Sequence, residues 1–371
     1  MIPNASWVKG FIGGLKTNRQ GLYSDRKVVV FESDDWGAIR TPSREVLRAF
    51  RKQGFDLTGS LYKVDALASR TDLEDLFDVL LNHKNSSGKS PVFTANAIMA
   101  NPDFGKIAAS DFLEYHFEPF TNTFLRYPEH ATNLELWKKG LELGVFVPEY
   151  HGREHVNINR WLQALAKGDE RTLFSFRLGS TYSGKGDYAY MESFDWDSPN
   201  EVSSQAEIIR EGARLFTETF GKSPRSFIAP CYNWDPALEQ ILSSIGISWI
   251  QGLSTQLAPT GGFDAYRPIR HHFGQSNGFG SRYNVRNVFF EPVNNPDADW
   301  TDAAMARIQA AFLLKKPAVI CTHRLNYVGY IDPKNKSNGL YHLNKLLRAI
   351  LKKWPDVDFV STPELSNVIT L

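Results

Sequence analysis

Cysteine is scarce in this chain. Cys231 and Cys321 are the only two among 371 residues, too few for a disulfide framework, so each is read as a free thiol. Long apolar runs are missing as well: no segment approaches the ~18 uncharged apolar residues of a membrane span. The opening MIPNASWVKGFIGGLKTNRQGLYSDRK has no apolar run of signal-peptide length, which leads to the expectation of a cytoplasmic protein. Nor is there an excess of charge. Lys plus Arg number 42 against 41 Asp plus Glu, leaving no bulk field to hold nucleic acid or an anionic membrane; a neutral substrate such as a sugar suits this balance better. Repeats, low-complexity tracts and clear linkers are also lacking. The length fits one large α/β barrel or two ordinary domains.

Aromatic residues are plentiful, 13% of the chain with nine Trp and fourteen Tyr. Filling a large core accounts for most of them, and such faces also stack on sugar rings. Short apolar runs alternate with helical patterns, which predicts a parallel sheet covered by helices. The candidate strands are 27–33, 91–97, 144–150, 226–232, 246–252, 287–293, 317–323 and 357–361, and seven or eight such units predict a complete or distorted (β/α) barrel. Asp34, Asp35, Asn96, His151, Tyr232 and His323 stand at or after strand ends, where a barrel carries its active site. TPSREVLRAFRKQG, SSQAEIIREGARLFTETFG, WTDAAMARIQAAFLLKKP and YHLNKLLRAILKKWP read as capped helices, and STPEL opens a last one. Residues 1–26 form an N-terminal extension, with WVKGFIGGL as a surface helix. Residues 27–371 form one domain with excursions at 99–135, 180–203 and 253–285.

The residues that carry chemistry come from two distant places, the Asp34-Asp35 pair in FESDDWG and His151 with His155 in EYHGREH. Divalent ions of the zinc type take imidazole nitrogen and carboxylate oxygen, and a catalytic ion needs only three protein donors. Two histidines four apart would aim both rings at one ion across a helical turn. An adjacent acidic pair divides the remaining work, one carboxylate on the metal and one taking a proton from the attacking water. These residues point to a metal-dependent hydrolase.

Four segments together resemble the polysaccharide deacetylase (NodB-homology) family of carbohydrate esterases: Glu32-Ser33-Asp34-Asp35-Trp36-Gly37, His151-Gly152-Arg153-Glu154-His155, Ala229-Pro230-Cys231-Tyr232-Asn233 and Cys321-Thr322-His323. Order and spacing match over residues 27 to 325. The resemblance implies a distorted (β/α) barrel and removal of an acyl group, N-acetyl foremost, from an amino sugar in a glycan or glycan precursor, as in surface polysaccharide biosynthesis. It makes Asp34 the general base, and Asp35, His151 and His155 the ligands of a divalent metal, zinc or else cobalt, nickel or iron. It gives the oxyanion to the Tyr232 N–H and the acid role to His323. Trp36, Asn233 and Trp234 are the expected substrate-binding residues. Three departures stand out. Ala229 replaces an Arg that pairs with the base, for which Arg153, Arg225 or Arg324 would have to substitute; Cys321 replaces a Leu at the acyl group; Trp36 replaces a Gly. Glu149, Glu154 and Asp264 are candidate acceptors behind the histidines. Two other readings stay open: a glycoside hydrolase pairing Asp34 with Asp195 or Glu291, and a non-catalytic sugar-binding protein on the same scaffold.

Overall fold

The computed structural model describes residues 5–183 and 190–369, so part of the predicted 180–203 excursion lies outside the described residues. In chain order the strands are β1 (Val28–Trp36), β2 (Phe93–Ala97), β3 (Ala100–Pro102), β4 (Phe117–Pro119), β5 (Phe146–Tyr150), β6 (Ser226–Ile228), β7 (Trp249–Gly252), β8 (Thr255–Pro259), β9 (Tyr266–Arg270), β10 (Arg282–Val285), β11 (Val288–Phe289), β12 (Ala318–His323) and β13 (Asp358–Phe359). Nine of them form one parallel sheet in the order β10-β7-β6-β5-β2-β1-β12-β11, with β13 beside the start of β1. All eight predicted strands are in it. Only Arg286 and Asn287 separate β10 from β11. The Arg286 N–H donates to Gly252 C=O at 2.8 Å and the Asn287 N–H to Val319 C=O at 3.1 Å, so one extended stretch bonds β7 on one side and β12 on the other.

Every residue of β1 is buried, as a central parallel strand covered on both faces requires. Val29 and Phe31 face the large core under the helices, whereas Val28 and Val30 meet Trp249, Phe273, Val319, Val360 and Leu365 on the opposite face. Continuing the alternation past this apolar floor brings Glu32 and then Asp34 onto the inner face. The sheet is thus apolar at the start of its strands and polar at their ends.

The excursions have structure of their own. The 99–135 segment contains the antiparallel pair β3–β4, and 253–285 contains the β8–β9 hairpin and β10. The helix at Ala5–Thr17 forms as expected and lies on the Trp300–Leu313 helix. Glycines permit that approach: a Cβ on Gly10 would meet Ala306 Cβ at 3.4 Å, and one on Gly14 would meet Ala310 Cβ at 2.8 Å. Val8 and Ile12 remain exposed on its outer side. Among the described residues no helix is long and apolar enough to cross a membrane.

Candidate active site

Strict alternation along β1 would put Asp34 and Trp36 on one face and send Asp35 to the other. A bulge prevents this. The β1–β2 register shifts between Ser33 and Trp36, and Asp35 takes φ 71°, a left-handed conformation that Asp tolerates better than most residues. Both carboxylates consequently reach the site, and Trp36 turns away into the core. There its indole N–H donates to Ser33 Oγ and its ring packs edge-on to Trp137 and Phe146. At 1% exposure Trp36 has no face for a sugar, contrary to expectation.

The two histidines do not lie on a helix. Gly152 between them has φ 109°, and the segment continues alongside the chain after β2, with Met99 N–H donating to Gly152 C=O and Ala100 N–H to Arg153 C=O. The rings meet all the same, 5.2 Å between centroids at 84°. His151 Nε2 lies 3.2 Å and His155 Nε2 3.4 Å from the same atom, Asp35 Oδ1. His151 Nδ1 is 2.9 Å from Ile228 C=O; that bond puts the ring proton on Nδ1 and leaves Nε2 a bare lone pair aimed at a carboxylate oxygen. Two lone pairs facing each other repel unless a cation lies between them. A tetrahedral ion with bonds of about 2.0–2.2 Å sets its donors roughly 3.3 Å apart, the separation found, so these three residues fit a divalent metal.

The charges around this donor set suit that ion. Arg40, with its Nη2 3.2 Å from Asp35 Oδ1 and its Nε 3.4 Å from Asp65, is buried. Burial pulls the Asp35 pKa upward, but Arg40 and the neighbouring imidazoles outweigh it, and the carboxyl is held well below its ordinary value. His155 is pushed well below 6.5, by burial first and then by Arg40, so it is kept in the neutral form that ligates metals.

The arginine that pairs with Asp34 is Arg286. None of the three arginines expected there reaches Asp34: Arg153 pairs with Glu154 and Glu211, Arg324 with Asp65 and Ala38 C=O, and Arg225 gives its backbone N–H to Glu149. Arg286 grips both oxygens of Asp34 at 2.6 Å and donates through Nε to Glu32 at 2.7 Å. Asn96 adds a third donor to this carboxylate, at 2.7 Å from Oδ1. Burial raises the Asp34 pKa, yet Arg286 turns the balance and the carboxyl sits below its ordinary value.

His323 completes the cluster. Its Nε2 is 3.7 Å from Asp34 Oδ2, and its Nδ1 is 2.6 Å from Glu291 Oε1. Asn326 fixes the other oxygen of Glu291 at 2.6 Å. Burial lowers the imidazole pKa, but Glu291, Asp34 and Asp35 together raise it well above 6.5. The His323 side chain is 30% exposed, and with Cys231 and Tyr232, also half-buried, it marks the open side of the site.

Other expected residues are placed differently. The Tyr232 N–H is already donated to Ala229 C=O at 3.1 Å; what Tyr232 offers the site is its hydroxyl, 3.1 Å from Arg286 Nη1. Trp234 is core, its N–H on Glu239, and Asn233 is 1% exposed, so neither presents a surface to substrate. Asp195 is held by Arg160 and the Tyr266 hydroxyl. Glu149 accepts the Arg225 and Ser226 N–H groups, Glu154 pairs with Arg153, and Asp264 lies exposed between β8 and β9. None of these three touches a site histidine. Arg40 and Arg286 escaped the sequence reading, and Glu291 entered it only as a glycosidase acid.

The sequence matches no model of a known protein family and no curated protein. Among solved structures it is similar to a CE4 family pseudoenzyme from Bacillus anthracis, at 10% identity over 92% of this chain and 66% of that one, TM-score 0.39. A family 4 carbohydrate esterase from Streptomyces lividans in complex with acetate aligns at 10% identity over 94% and 98%, TM-score 0.37. A 4-alpha-glucanotransferase from Thermococcus litoralis aligns at 9% over 93% and 40%, TM-score 0.44. All three TM-scores are below 0.5, and the chemistry of the site is carried by its own residues.

Proposed function

We propose that the protein is a metal-dependent deacylase that removes an acyl group, N-acetyl foremost, from an amino sugar of a glycan or glycan precursor, on a distorted barrel whose seam is the 282–289 stretch. The observation that carries this reading is the convergence of His151 Nε2 and His155 Nε2 on Asp35 Oδ1, beside an Asp34–His323 pair 3.7 Å apart. A divalent ion of the zinc type held by Asp35, His151 and His155 supplies Lewis acidity to the amide carbonyl and to the attacking water. Asp34 takes the proton of that water. Its grip by Arg286 makes it a weak base, which suffices where the water is itself acidified. An amine leaves an amide only once protonated. His323, held cationic by Glu291, delivers that proton from Nε2, the ring atom that faces Asp34 and the open side. A glycosidase pairing of Asp34 with Glu291 is disfavoured because each carboxylate is committed, one to Arg286 and the other to His323 and Asn326.

The test is acetate release from a panel of N-acetylated sugar nucleotides and short oligosaccharides, with the chelator-stripped protein and again after zinc. Release restored by zinc and abolished by Asp34→Asn, with metal content unchanged, is expected. Release of reducing sugar in place of acetate, or of neither with metal bound, sinks the reading.

A further inference from the structure

Beside the Asp35–His151–His155 donors a second set converges on His323, and of its three members the hydrolytic chemistry leaves Cys321 unused. Cys321 precedes His323 by two residues on β12 and so shares its face. Its Sγ, a carboxylate oxygen of Glu291 and a ring nitrogen of His323 all lie within 4.8 Å of one another. Glu291 Oε1 is 2.6 Å from His323 Nδ1 and 4.0 Å from Cys321 Sγ. Thiolate, imidazole and carboxylate are the donor types that zinc takes, and a tetrahedral ion would space them at roughly 3.3–3.5 Å. Opening the first distance and closing the second, each by less than about 1 Å, meets that requirement. Burial raises the Cys321 pKa, and Arg286 Nη1, 3.4 Å from Sγ, offsets part of that rise, while Glu32 and Asp34 already balance the guanidinium.

We propose that Glu291, Cys321 and His323 form a second divalent-metal site, thiophilic and inhibitory, distinct from the Asp35–His151–His155 set. On binding, the thiol proton and the His323 Nδ1 proton leave to solvent, and bonds from the ion to Sγ, Nδ1 and the Glu291 carboxylate replace the S–H bond and the Nδ1–H···Oε1 hydrogen bond. The imidazole is then fixed in its neutral form with one proton on Nε2. It has lost the acidity needed to protonate an amine. The ion that activates at one set of donors therefore inhibits at the other. The inhibitory half rests on the acid role proposed for His323; the binding half does not.

Cobalt(II), titrated into the chelator-stripped full chain, reads the site directly, because a thiolate ligand gives a near-ultraviolet charge-transfer band that oxygen and nitrogen donors do not. Two equivalents are expected, one of which generates the band. The band is lost in Cys321→Ser and in Cys321→Ala, the second variant guarding against misfolding of the first, and kept in Cys231→Ser and His155→Ala. Binding of one equivalent only, or a band that survives both Cys321 variants, overturns the proposal. With zinc, acetate release rises and then falls as the ion passes one equivalent, and the fall is absent in Cys321→Ser; a fall that persists there overturns the inhibitory role. Absence of acetate release at every zinc level counts against the hydrolase reading alone, since the cobalt band needs no turnover.

Discussion

Two buried carboxylates, Glu32 and Asp34, share the single guanidinium of Arg286. Removing one partner of a buried ion pair strands the other charge, at a cost of about 3–5 kcal/mol. Arg286→Met is therefore expected to lose about that much in urea unfolding, and Glu32→Gln in the same background to restore part of it. If the single and double variants unfold alike, Glu32 and Arg286 are not coupled. A second prediction concerns His323, whose pKa is raised because Glu291 and then Asp34 outweigh burial. In the proposed acid role His323 must be protonated, so activity is expected to fall as pH rises through that pKa. Glu291→Gln removes the largest charge holding it up and shifts the basic limb of kcat/KM to lower pH. The stability linkage has the same sign: the pair stabilises fully below the unfolded value near 6.5 and is lost as pH rises through the folded value. Urea unfolding at several pH values should accordingly show a weaker pH dependence in Glu291→Gln, and an unchanged profile would remove Glu291 from this role.

At the scale of elements, the site depends on helices that never touch it. Asn326, which aligns Glu291, sits in the turn after β12, and the Pro333–Lys353 helix crosses that turn at Gly339, where a Cβ would overlap the Asn326 carbonyl. Gly339→Ala gains about 1 kcal/mol of helix propensity but forces an overpacked contact costing about 1–3 kcal/mol or more. A net loss of stability is expected from thermal unfolding, together with a fall in kcat as Glu291 loses its support. A stabilised variant would show that the crossing can relax. The same scale explains what the sequence disclosed. Apolar runs are a strong signal, and all eight predicted strands pair in the sheet. β10, with sequence RYNV, has no such run and falls inside the predicted 253–285 excursion, although it carries the chain to Arg286. The histidine spacing suggested a helix; Gly152 in a left-handed conformation allows a different path to the same meeting of rings. Sequence alone places Trp36 toward substrate because nothing in a row of residues announces the bulge at Asp35 that turns the indole inward. Arg286 was invisible for a related reason: it is 252 positions from Asp34, and only the pairing of 282–289 with β7 and β12 brings it there.

For the whole molecule, the ion proposed here is a structural tie as well as a reagent. Asp35 lies near the end of β1 and His151 follows β5, so an ion on this set ties β1 to β5, while the β6 carbonyl of Ile228 orients the His151 ring. An ion that binds the folded chain and not the unfolded one stabilises it by about 2.7 kcal/mol at a free concentration 100 times its Kd. Chelator-stripped protein is thus expected to unfold earlier in urea than the zinc-loaded form, by an increment that grows with the logarithm of free zinc. His155→Ala removes most of that increment while leaving the fold intact in the absence of metal, because its imidazole Nδ1 has no hydrogen-bond partner to lose. An increment equally large in His155→Ala would mean that the stabilising ion is held elsewhere. An unfolding midpoint indifferent to zinc would instead leave the bare His151 Nε2 facing a carboxylate oxygen with no cation between them, and would count against a metal at this set.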